Sequence, residues 1–296
     1  MGKSFVDRLK AGEILIADGA TATNYQQIGM AIGVAPEEWI LDESEKVLGL
    51  HRAFIEAGSD IILTDTFGAT SLRLRESRYA GRAAELNHAA VALAREAAST
   101  SPGVLVAGSM GPTGALIEPL GELTPAAAAE AYAEQAAALS EAGVDLLLLE
   151  TFFALDEALA AIEGVRRASA LPLVVSFSFD RGTRTMMGLS PTRVVEAIGP
   201  LGVAAIGANC GRSLEDMEQV VHEFATLKAG IPLWIKPNAG LPRMVGDIAR
   251  YDTAPAEMAE FARRFIDAGA QVVGGCCGSS PEHVRAIATA IAKSLP

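Results

Sequence analysis

The chain has 296 residues, 50% of them hydrophobic, and a formal net charge of −12 at pH 7. Its length and apolar content suffice for one large core, and its acidic balance argues against a nucleic-acid partner because like charge repels the phosphate backbone. No apolar run approaches the about 20 residues that span a membrane, and the first residues lack the apolar segment of a signal peptide, so we expect a soluble cytoplasmic protein without membrane contact.

Short apolar segments recur along the chain, each followed by a Gly- or Thr-rich turn and then by an amphipathic helical pattern. Continuous apolar runs are typical of strands covered on both faces, as in a parallel sheet. The series predicts an α/β fold, a (β/α)₈ TIM barrel formed as a single domain over 1–296. The alternative, an open doubly wound sheet, is disfavoured because no G-x-G-x-x-G motif follows the first strand. The predicted strands are residues 14–18, 60–64, 104–109, 145–150, 173–178, 203–209, 233–236 and 271–274.

Helix boundaries carry recognisable signals. Ser or Thr followed by Pro is typical of a helix start, and Ala-Gly before the next apolar run is typical of a helix end. The predicted N-caps are Thr124, Ser190 and Ser280, each followed by Pro, and Ser213, which has Asp216 three residues on. The predicted C-terminal glycines are Gly58, Gly143 and Gly269.

In such a barrel, catalytic groups lie just beyond the carboxyl ends of the strands. The chemically reactive residues of this chain follow predicted strands, so they are expected around one mouth of the barrel. They are Asp18 in DGATATN, Asp65 in TDTFGAT, Glu150 in LLETF, Cys210 in ANCG, and Cys276 and Cys277 in GGCCGSS.

The chain has three cysteines, Cys210, Cys276 and Cys277. An odd number with an adjacent pair is a poor disulfide framework. The strands before Cys210 and before the pair would lie one strand apart, and the glycines around the pair permit a sharp turn, so the three sulfurs can converge. Three thiolates with a vacant fourth position are the pattern of a catalytic Zn²⁺ site, whereas structural zinc is closed by four protein ligands.

Other interpretations of the cysteines exist. A buried cysteine is often a small apolar residue, and a redox site is disfavoured because the motif is C-C rather than C-x-x-C. With zinc, three thiolates sum to a charge of −1, which would keep a coordinated substrate thiolate nucleophilic. None of the histidines is expected as a fourth ligand, because all fall in helical patterns away from strand ends: His51, His88, His222 and His283.

Two carboxylates and one helix start could hold an amino-acid substrate. Asp18 and Glu150 suit an ammonium group, and the backbone N–H groups of residues 19–21 suit a carboxylate at the start of a helix. Asp18 could equally cap a turn, whereas Glu150 follows four leucines, where a buried carboxylate without a partner is costly. Asn209 could contact substrate or orient its loop, and turn chemistry explains it as well. An amino-acid clamp beside a zinc thiolate fits homocysteine.

These motifs resemble the homocysteine S-methyltransferase family, which includes the homocysteine domain of cobalamin-dependent methionine synthase and betaine–homocysteine methyltransferase. The resemblance covers the whole chain, through DGATATN, TDTFGAT, GSMGPTG, LLETF, GANCG, KPNAG and GGCCGSSPEHV. It implies a zinc (β/α)₈ barrel that transfers a methyl group to homocysteine, with the three cysteines as ligands. The homocysteine contacts that it implies are Asp18, Gly19, Thr66, Phe67 and Glu150.

The sequence also departs from the family pattern. The motif after the second strand usually carries Asn where this chain has Asp65, and the added negative charge has no assigned role. The folate, corrinoid and activation modules of methionine synthase have no counterpart, so the resemblance implies that a corrinoid donor would arrive on a separate protein. The sequence is compatible with a homo-oligomer and does not decide the question.

The methyl donor is suggested by aromatic residues near the mouth. Donors such as betaine, dimethylsulfoniopropionate or S-methylmethionine carry an onium centre, which aromatic faces bind. Tyr25, Trp39 and Phe152 are the expected donor contacts, although Trp39 could instead be a hydrophobic plug over the barrel. The segments APEEW and RTMMGLSP resemble bacterial proteins described as betaine–homocysteine methyltransferases, which favours betaine.

Two other classes of function remain. A non-catalytic homocysteine- or metal-binding module, such as the acceptor half of a corrinoid system, would carry the same residues. A metal-independent aldolase would need a Schiff-base lysine at a strand end, and Lys236 is the only lysine so placed. That role leaves the three cysteines unexplained.

Overall fold

The structure is a computed structural model that describes residues 3–245 and 248–293. Residues 1, 2, 246, 247 and 294–296 of the predicted domain lie outside the described residues. The described strands are β1 Leu15–Ile16, β2 Ile61–Leu63, β3 Leu105–Met110, β4 Leu146–Phe152, β5 Leu173–Phe177, β6 Ala205–Cys210, β7 Leu233–Pro237, β8 Arg243–Val245, β9 Ile248–Arg250 and β10 Ala270–Val273.

Eight of these strands form one parallel sheet in the order β1-β10-β7-β6-β5-β4-β3-β2. The sheet closes on itself, because Ala17 pairs with Ile61 in parallel and the Asp18 amide donates to the Ile61 carbonyl at 3.0 Å. The (β/α)₈ barrel is therefore confirmed. Each predicted strand overlaps an observed one, with ends that differ by no more than a few residues.

Helices surround the barrel, and most follow a strand as predicted. They are α1 Phe5–Lys10, α2 Ala22–Gln27, α3 Trp39–Asp42, α4 Ser44–Ala57, α5 Ser71–Leu74, α6 Ala83–Ala98, α7 Pro125–Ala142, α8 Leu155–Ala168, α9 Pro191–Ile198, α10 Leu214–Thr226, α11 Pro255–Asp267 and α12 Pro281–Ala292, with short 3₁₀ turns at Pro36–Glu38 and Gly199–Leu201. All four predicted N-caps are found in place, and Ser280 forms a capping box with His283.

Alternation along the strands separates two cores. On β4, Leu146 and Leu148 belong to the core inside the barrel, whereas Leu147 and Leu149 pack against the surrounding helices. Helix α1 covers the amino end of the barrel, where Phe5 meets Trp234 edge-to-face at 6.3 Å between ring centroids. Because successive side chains of a strand point to opposite faces, the same alternation decides which polar residues near the carboxyl ends of the strands face inward.

One element was not predicted from the sequence. An antiparallel hairpin of β8 and β9 lies between β7 and α11, and the side chains of Arg243, Met244 and Val245 are exposed. The segment has no apolar alternation toward a core, so the sequence carries no strand signal there. Among the described residues, no helix is both long and apolar enough to cross a membrane.

Candidate active site

A layer of polar side chains closes the carboxyl end of the inner core. Each follows the inward alternation of its strand, and on four of the five strands the residue two positions earlier belongs to the inner core, as Leu148 and Trp234 do. All are buried, and we call them the polar layer: Ser109 on β3, Glu150 on β4, Ser176 on β5, Asn209 on β6 and Lys236 on β7. The polar layer therefore lies at the end of the barrel where catalytic groups are expected.

The three cysteines converge above this layer. Cys210 ends β6, and Cys276 and Cys277 follow β10, with β7 between the two strands. The three Sγ atoms lie within 4.8 Å of one another, and Cys210 Sγ lies 3.0 Å from Cys276 Sγ. The predicted convergence of the cysteine cluster is confirmed, and its geometry is that of a group able to hold one metal ion.

Backbone conformation sets the directions of these side chains. Cys210 has φ 59°, a left-handed conformation that costs free energy in a residue other than glycine. The Cys276 amide donates to the Pro237 carbonyl at 2.7 Å, and the Cys277 carbonyl accepts from the Ala239 amide at 2.9 Å. The Asn238 amide donates to the Cys210 carbonyl at 3.1 Å, so β7 and the turn after it contact both parts of the cluster.

The sulfurs are electrostatically coupled. Hydrogen bonds from Cys210 and then from Cys276 lower the pKa of Cys277 to about 3. Hydrogen bonding to Cys276 and Cys277 raises the pKa of Cys210 well above its ordinary range, because a donating thiol keeps its proton. The hydrogen bonds within the cluster therefore favour ionisation of Cys277 over that of Cys210.

Asn209 connects the cluster to the neighbouring strands. Its Oδ1 accepts from the Thr151 amide at 2.9 Å and from Ser176 Oγ at 2.7 Å. Its Nδ2 donates to Thr151 Oγ1 at 2.6 Å and approaches the sulfurs of Cys210 and Cys276 at 3.6 and 3.9 Å. Asn209 is therefore placed to orient the cysteines from the polar layer.

Both predicted carboxylates face the site. Asp18 Oδ1 accepts from Lys236 Nζ at 2.7 Å, and Oδ2 accepts from the Leu63 amide at 2.7 Å. Glu150 Oε1 accepts from Ser109 Oγ at 2.5 Å. Burial raises the pKa of Glu150 to about 7, although the positive charge of Lys236 acts in the opposite direction. Glu150 can therefore change ionisation near neutral pH when a charged ligand arrives.

The helix start expected after Asp18 differs in the structure. Helix α2 begins at Ala22, and the Ala20 amide donates to the Ser279 carbonyl at 3.1 Å, so that N–H group is already used. Gly19 is required by packing, because a Cβ atom there would lie 2.6 Å from Phe54 Cε1 and 2.7 Å from Ser279 O. The expectation that the backbone N–H groups of residues 19–21 are all free to bind a carboxylate is therefore wrong for Ala20.

Thr66 and Phe67 follow β2 at the same mouth. Thr66 is fully buried, and its Oγ1 donates to the Ser109 carbonyl at 2.7 Å. The Phe67 ring packs so closely on Gly111 that no Cβ fits there, and the Arg73 guanidinium lies 5.8 Å from its centroid. These contacts fix the loop after β2, and the predicted homocysteine contacts of both residues stay predictions.

The aromatic residues expected around a donor divide into two groups. Tyr25 and Trp39 stack at 4.9 Å between ring centroids, and Lys46 Nζ lies 4.5 Å from the Trp39 centroid. Phe152 is fully buried against Tyr132 of α7 and Phe177, because the irregular register near the end of β4 directs it toward the helices. Tyr25 and Trp39 are also buried, at 0% and 6% exposed, so what distinguishes Phe152 is its direction: it packs in the core between the sheet and the helices and not at the mouth. The predicted donor contact of Phe152 is therefore wrong, and those of Tyr25 and Trp39 stay predictions.

Several site residues have no distinctive sequence signal. Ser109 and Ser176 belong to the hydrogen-bond network, and only the inward alternation of their strands could have indicated them. Thr151 follows the inward Glu150, and its left-handed backbone, with φ 65°, has no signal in the sequence. Tyr251 lies beyond the unpredicted hairpin, and its ring packs so closely on Gly278, the residue after Cys277, that no Cβ fits there. All four histidines lie within helices as expected.

Comparison with known proteins places this geometry in a family. The family model described as homocysteine S-methyltransferase matches residues 15–291. Methionine synthases of Mycobacterium leprae and Mycobacterium tuberculosis are each 32% identical to the chain, over 96% and 94% of its length. The chain spans about a quarter of the length of these curated relatives, since the match covers 25% of each.

Solved structures agree on the fold. The metallated form of the homocysteine methyltransferase MmuM from Escherichia coli superposes with a TM-score of 0.79 at 24% identity, covering 95% of this chain and 97% of that one. A methyltransferase from Methanosarcina mazei superposes with a TM-score of 0.62 at 12% identity, covering 99% of both chains. With the family model matching nearly its whole length, the chain belongs to the homocysteine S-methyltransferase family.

Proposed function

We propose that this protein transfers a methyl group from a small onium donor to the sulfur of homocysteine and so forms methionine, with Zn²⁺ held by the cysteine cluster. The observation that carries the proposal is the convergence of the three sulfurs within 4.8 Å, in a chain of this family. We also place the protein in the cytoplasm, where a reducing environment keeps thiols free for a metal.

The residues present fit zinc. Three thiolates suit a borderline-soft divalent ion, and no histidine or fourth cysteine among the described residues closes the group. The Oδ1 atom of Asn238, next to the cluster in the chain turn after β7, is buried without a hydrogen-bond partner. When bound, zinc would lower the pKa of a coordinated thiol and hold the substrate sulfur as a thiolate.

The chain's own groups would bind the amino-acid part of homocysteine. The carboxylates of Asp18 and Glu150 both face the polar layer, and each keeps lone pairs for an ammonium group. A cationic ligand beside Glu150 favours its charged form, so binding would draw Glu150 toward ionisation. Gly19, Thr66, Phe67 and Asn209 would define the shape of the pocket around the substrate.

The Tyr25–Trp39 stack supports an onium donor. Lys46 already places a cation over the Trp39 ring, an arrangement that the negative face of an aromatic ring favours. Two buried carboxyl groups, those of Asp65 and Glu37, lie near the stack. Burial raises the pKa of both groups, and the negative charge of Glu37 raises the pKa of Asp65 further. A cationic methyl donor would relieve this repulsion, and betaine is the donor that we place first.

A donor screen tests the proposal. Zinc-loaded protein is incubated with homocysteine and, separately, betaine, dimethylsulfoniopropionate, S-methylmethionine or methylcobalamin, and methionine is measured by mass spectrometry. We expect methionine with at least one onium donor and none with the Cys276→Ser variant. Absence of methionine with every onium donor would reject the onium proposal.

A second candidate function is an acceptor subunit that receives its methyl group from a separate methylated corrinoid protein. Most large apolar side chains that are exposed among the described residues lie on loops at the carboxyl end of the barrel, where a protein donor would have to approach. In that case methionine should form only after a methylated corrinoid protein is added. These exposed side chains are Ile28, Ile32, Leu116, Leu120, Met186, Met187, Leu241, Met244 and Val245.

A further inference from the structure

We infer that Lys236 is a positioning residue that fixes the Asp18 carboxylate for the substrate ammonium group and thereby sets a preference for amino-acid thiols. The inference rests on the proposed function, because it concerns how homocysteine is recognised. Its structural basis is the ion pair between Lys236 on β7 and Asp18 after β1, two segments separated by β10.

The ion pair is buried. The Lys236 and Asp18 side chains are 2% and 4% exposed, and their charged atoms are 2.7 Å apart. A buried ammonium and a buried carboxylate are each costly to desolvate, so such a pair is retained only where it satisfies a specific requirement. Lys236 is the one buried lysine or arginine among the residues that the structure describes. No neighbouring lysine or arginine can therefore take over its charge.

Lys236 fixes Asp18 without saturating it. One carboxylate oxygen accepts from Lys236 Nζ and the other from the Leu63 amide. An ionised carboxylate has about four lone-pair positions, so each oxygen keeps one for a further donor. The two bonds hold the carboxylate from either side of β1, and the inference assigns the remaining lone pairs to the substrate ammonium group.

The charge of Lys236 also matters for its neighbours. Asp18, Glu150 and the cysteine cluster concentrate negative charge at the polar layer, and Coulomb attraction links Lys236 to both carboxylates and to Cys276. Without this cation, the carboxylates would favour their protonated forms, which pair poorly with an ammonium group. Lys236 therefore keeps the clamp charged before substrate arrives.

The same ion pair accounts for Lys236 without a Schiff base. A nucleophilic amine must be neutral, whereas Lys236 donates to Asp18 as an ammonium. Burial lowers the pKa of Lys236, but the charges of Asp18 and Glu150 outweigh this effect and raise it above its ordinary value. The aldolase alternative needs a neutral amine at Lys236, and this ion pair disfavours one.

The test compares two thiols that differ only in the amino group, homocysteine and 4-mercaptobutanoate. Zinc-loaded wild-type protein and the Lys236→Met variant are assayed with both, and kcat and KM are measured separately. For Lys236→Met we expect KM for homocysteine to rise by about tenfold or more, because the partner of a buried charge is removed. We expect kcat/KM for 4-mercaptobutanoate to change by less than about twofold, since that thiol has no ammonium group to pair.

Three further variants keep the test decisive if Lys236→Met folds poorly. Lys236→Arg retains the charge and should recover part of the preference. The double variant Asp18→Asn/Lys236→Met removes both charges, so no uncompensated ion remains. Its preference for homocysteine over 4-mercaptobutanoate should equal that of the third variant, Asp18→Asn alone. Zinc content and equilibrium dialysis with homocysteine supply readouts that do not depend on turnover.

The outcomes separate the inference from the proposed function. If Lys236→Met lowers kcat/KM equally for both thiols, Lys236 has a structural role only and the inference is overturned. The same holds if the double variant shows a lower preference than Asp18→Asn. If wild-type protein neither binds homocysteine nor forms methionine, the proposed function fails first and the inference fails with it.

Discussion

Asn209 and Thr151 hold each other through two reciprocal hydrogen bonds: the Thr151 amide donates to Asn209 Oδ1 at 2.9 Å, and Asn209 Nδ2 donates to Thr151 Oγ1 at 2.6 Å. Thr151 has φ 65°, so this contact also stabilises a left-handed residue at the end of β4. Because Asn209 Nδ2 also approaches two of the cysteine sulfurs, the contact links the irregular end of β4 to the cysteine cluster.

Removing the Asn209 amide should therefore weaken zinc binding. Side chains that orient metal ligands typically contribute about 10–100-fold to metal affinity, so we expect a loss of this size for Asn209→Ala. The affinity is measured by competition with a chromophoric chelator. The matched control is Asn87→Ala, because Asn87 is equally buried but bonds to Ala69 and Ala83 away from the cluster. Equal zinc affinities for the two variants would contradict the role assigned to Asn209.

Gly278 should tolerate no side chain. It has φ 83°, and a Cβ atom would collide with the ring of Tyr251. Gly12 has φ 74°, but a Cβ atom added there would have no neighbour within 4 Å, so Gly12 isolates the backbone cost. We expect Gly12→Ala to lower the free energy of unfolding by about 1 kcal/mol. Gly278→Ala should lower it further and also reduce zinc affinity, because Tyr251 and Cys277 are displaced together.

That comparison is made by urea unfolding and metal titration of both variants. If Gly278→Ala and Gly12→Ala lower the free energy of unfolding equally and bind zinc equally well, the packing of Tyr251 on the cysteine loop contributes neither to stability nor to zinc binding.

His51 should make the protein sensitive to mild acid. Burial lowers the pKa of His51 to about 4, although Asp18 opposes the shift. Since the unfolded chain takes up the proton at a higher pH, near 6.5, stability is full above that pH and falls as pH drops toward 4. The loss from this one residue is about 3 kcal/mol when complete.

The His51→Gln variant removes the titrating ring. The free energy of unfolding is measured by urea titration between pH 7 and pH 4 for wild type and variant. We expect the difference between the two proteins to shrink or reverse as pH falls through this window. A constant difference at every pH would show that His51 is not held neutral by burial.

Trp39 should affect the donor and not the acceptor. If the ring binds an onium centre, Trp39→Leu raises KM for the donor by about tenfold, because the cation–π contribution is lost, and leaves KM for homocysteine nearly unchanged. Phe152→Leu is the matched aromatic control, since Phe152 faces the helices rather than the mouth. Steady-state kinetics with each substrate varied in turn measure both constants. An equal effect of the two substitutions on donor KM would show that Trp39 acts only in packing.

The barrel and the cysteine cluster were predictable because their determinants are local. Each strand is an apolar run, and the rule that reactive residues follow barrel strands places Cys210 near the distant pair without knowledge of register. The partner of Asp18 was not predictable, because Lys236 faces inward only through the alternation of β7, and the strand order brings it near β1. Likewise, the position of Phe152 depends on a local irregularity in β4, which no sequence pattern marks.

The most direct test of the account is the zinc content of purified wild-type and Cys276→Ser proteins, measured by atomic spectroscopy together with methionine formation. We expect roughly one zinc per wild-type chain, as three thiolate ligands around one ion require, and loss of both zinc and activity in the variant. A Cys276→Ser protein that keeps full zinc and full methyl transfer would contradict the central role of the cysteine cluster.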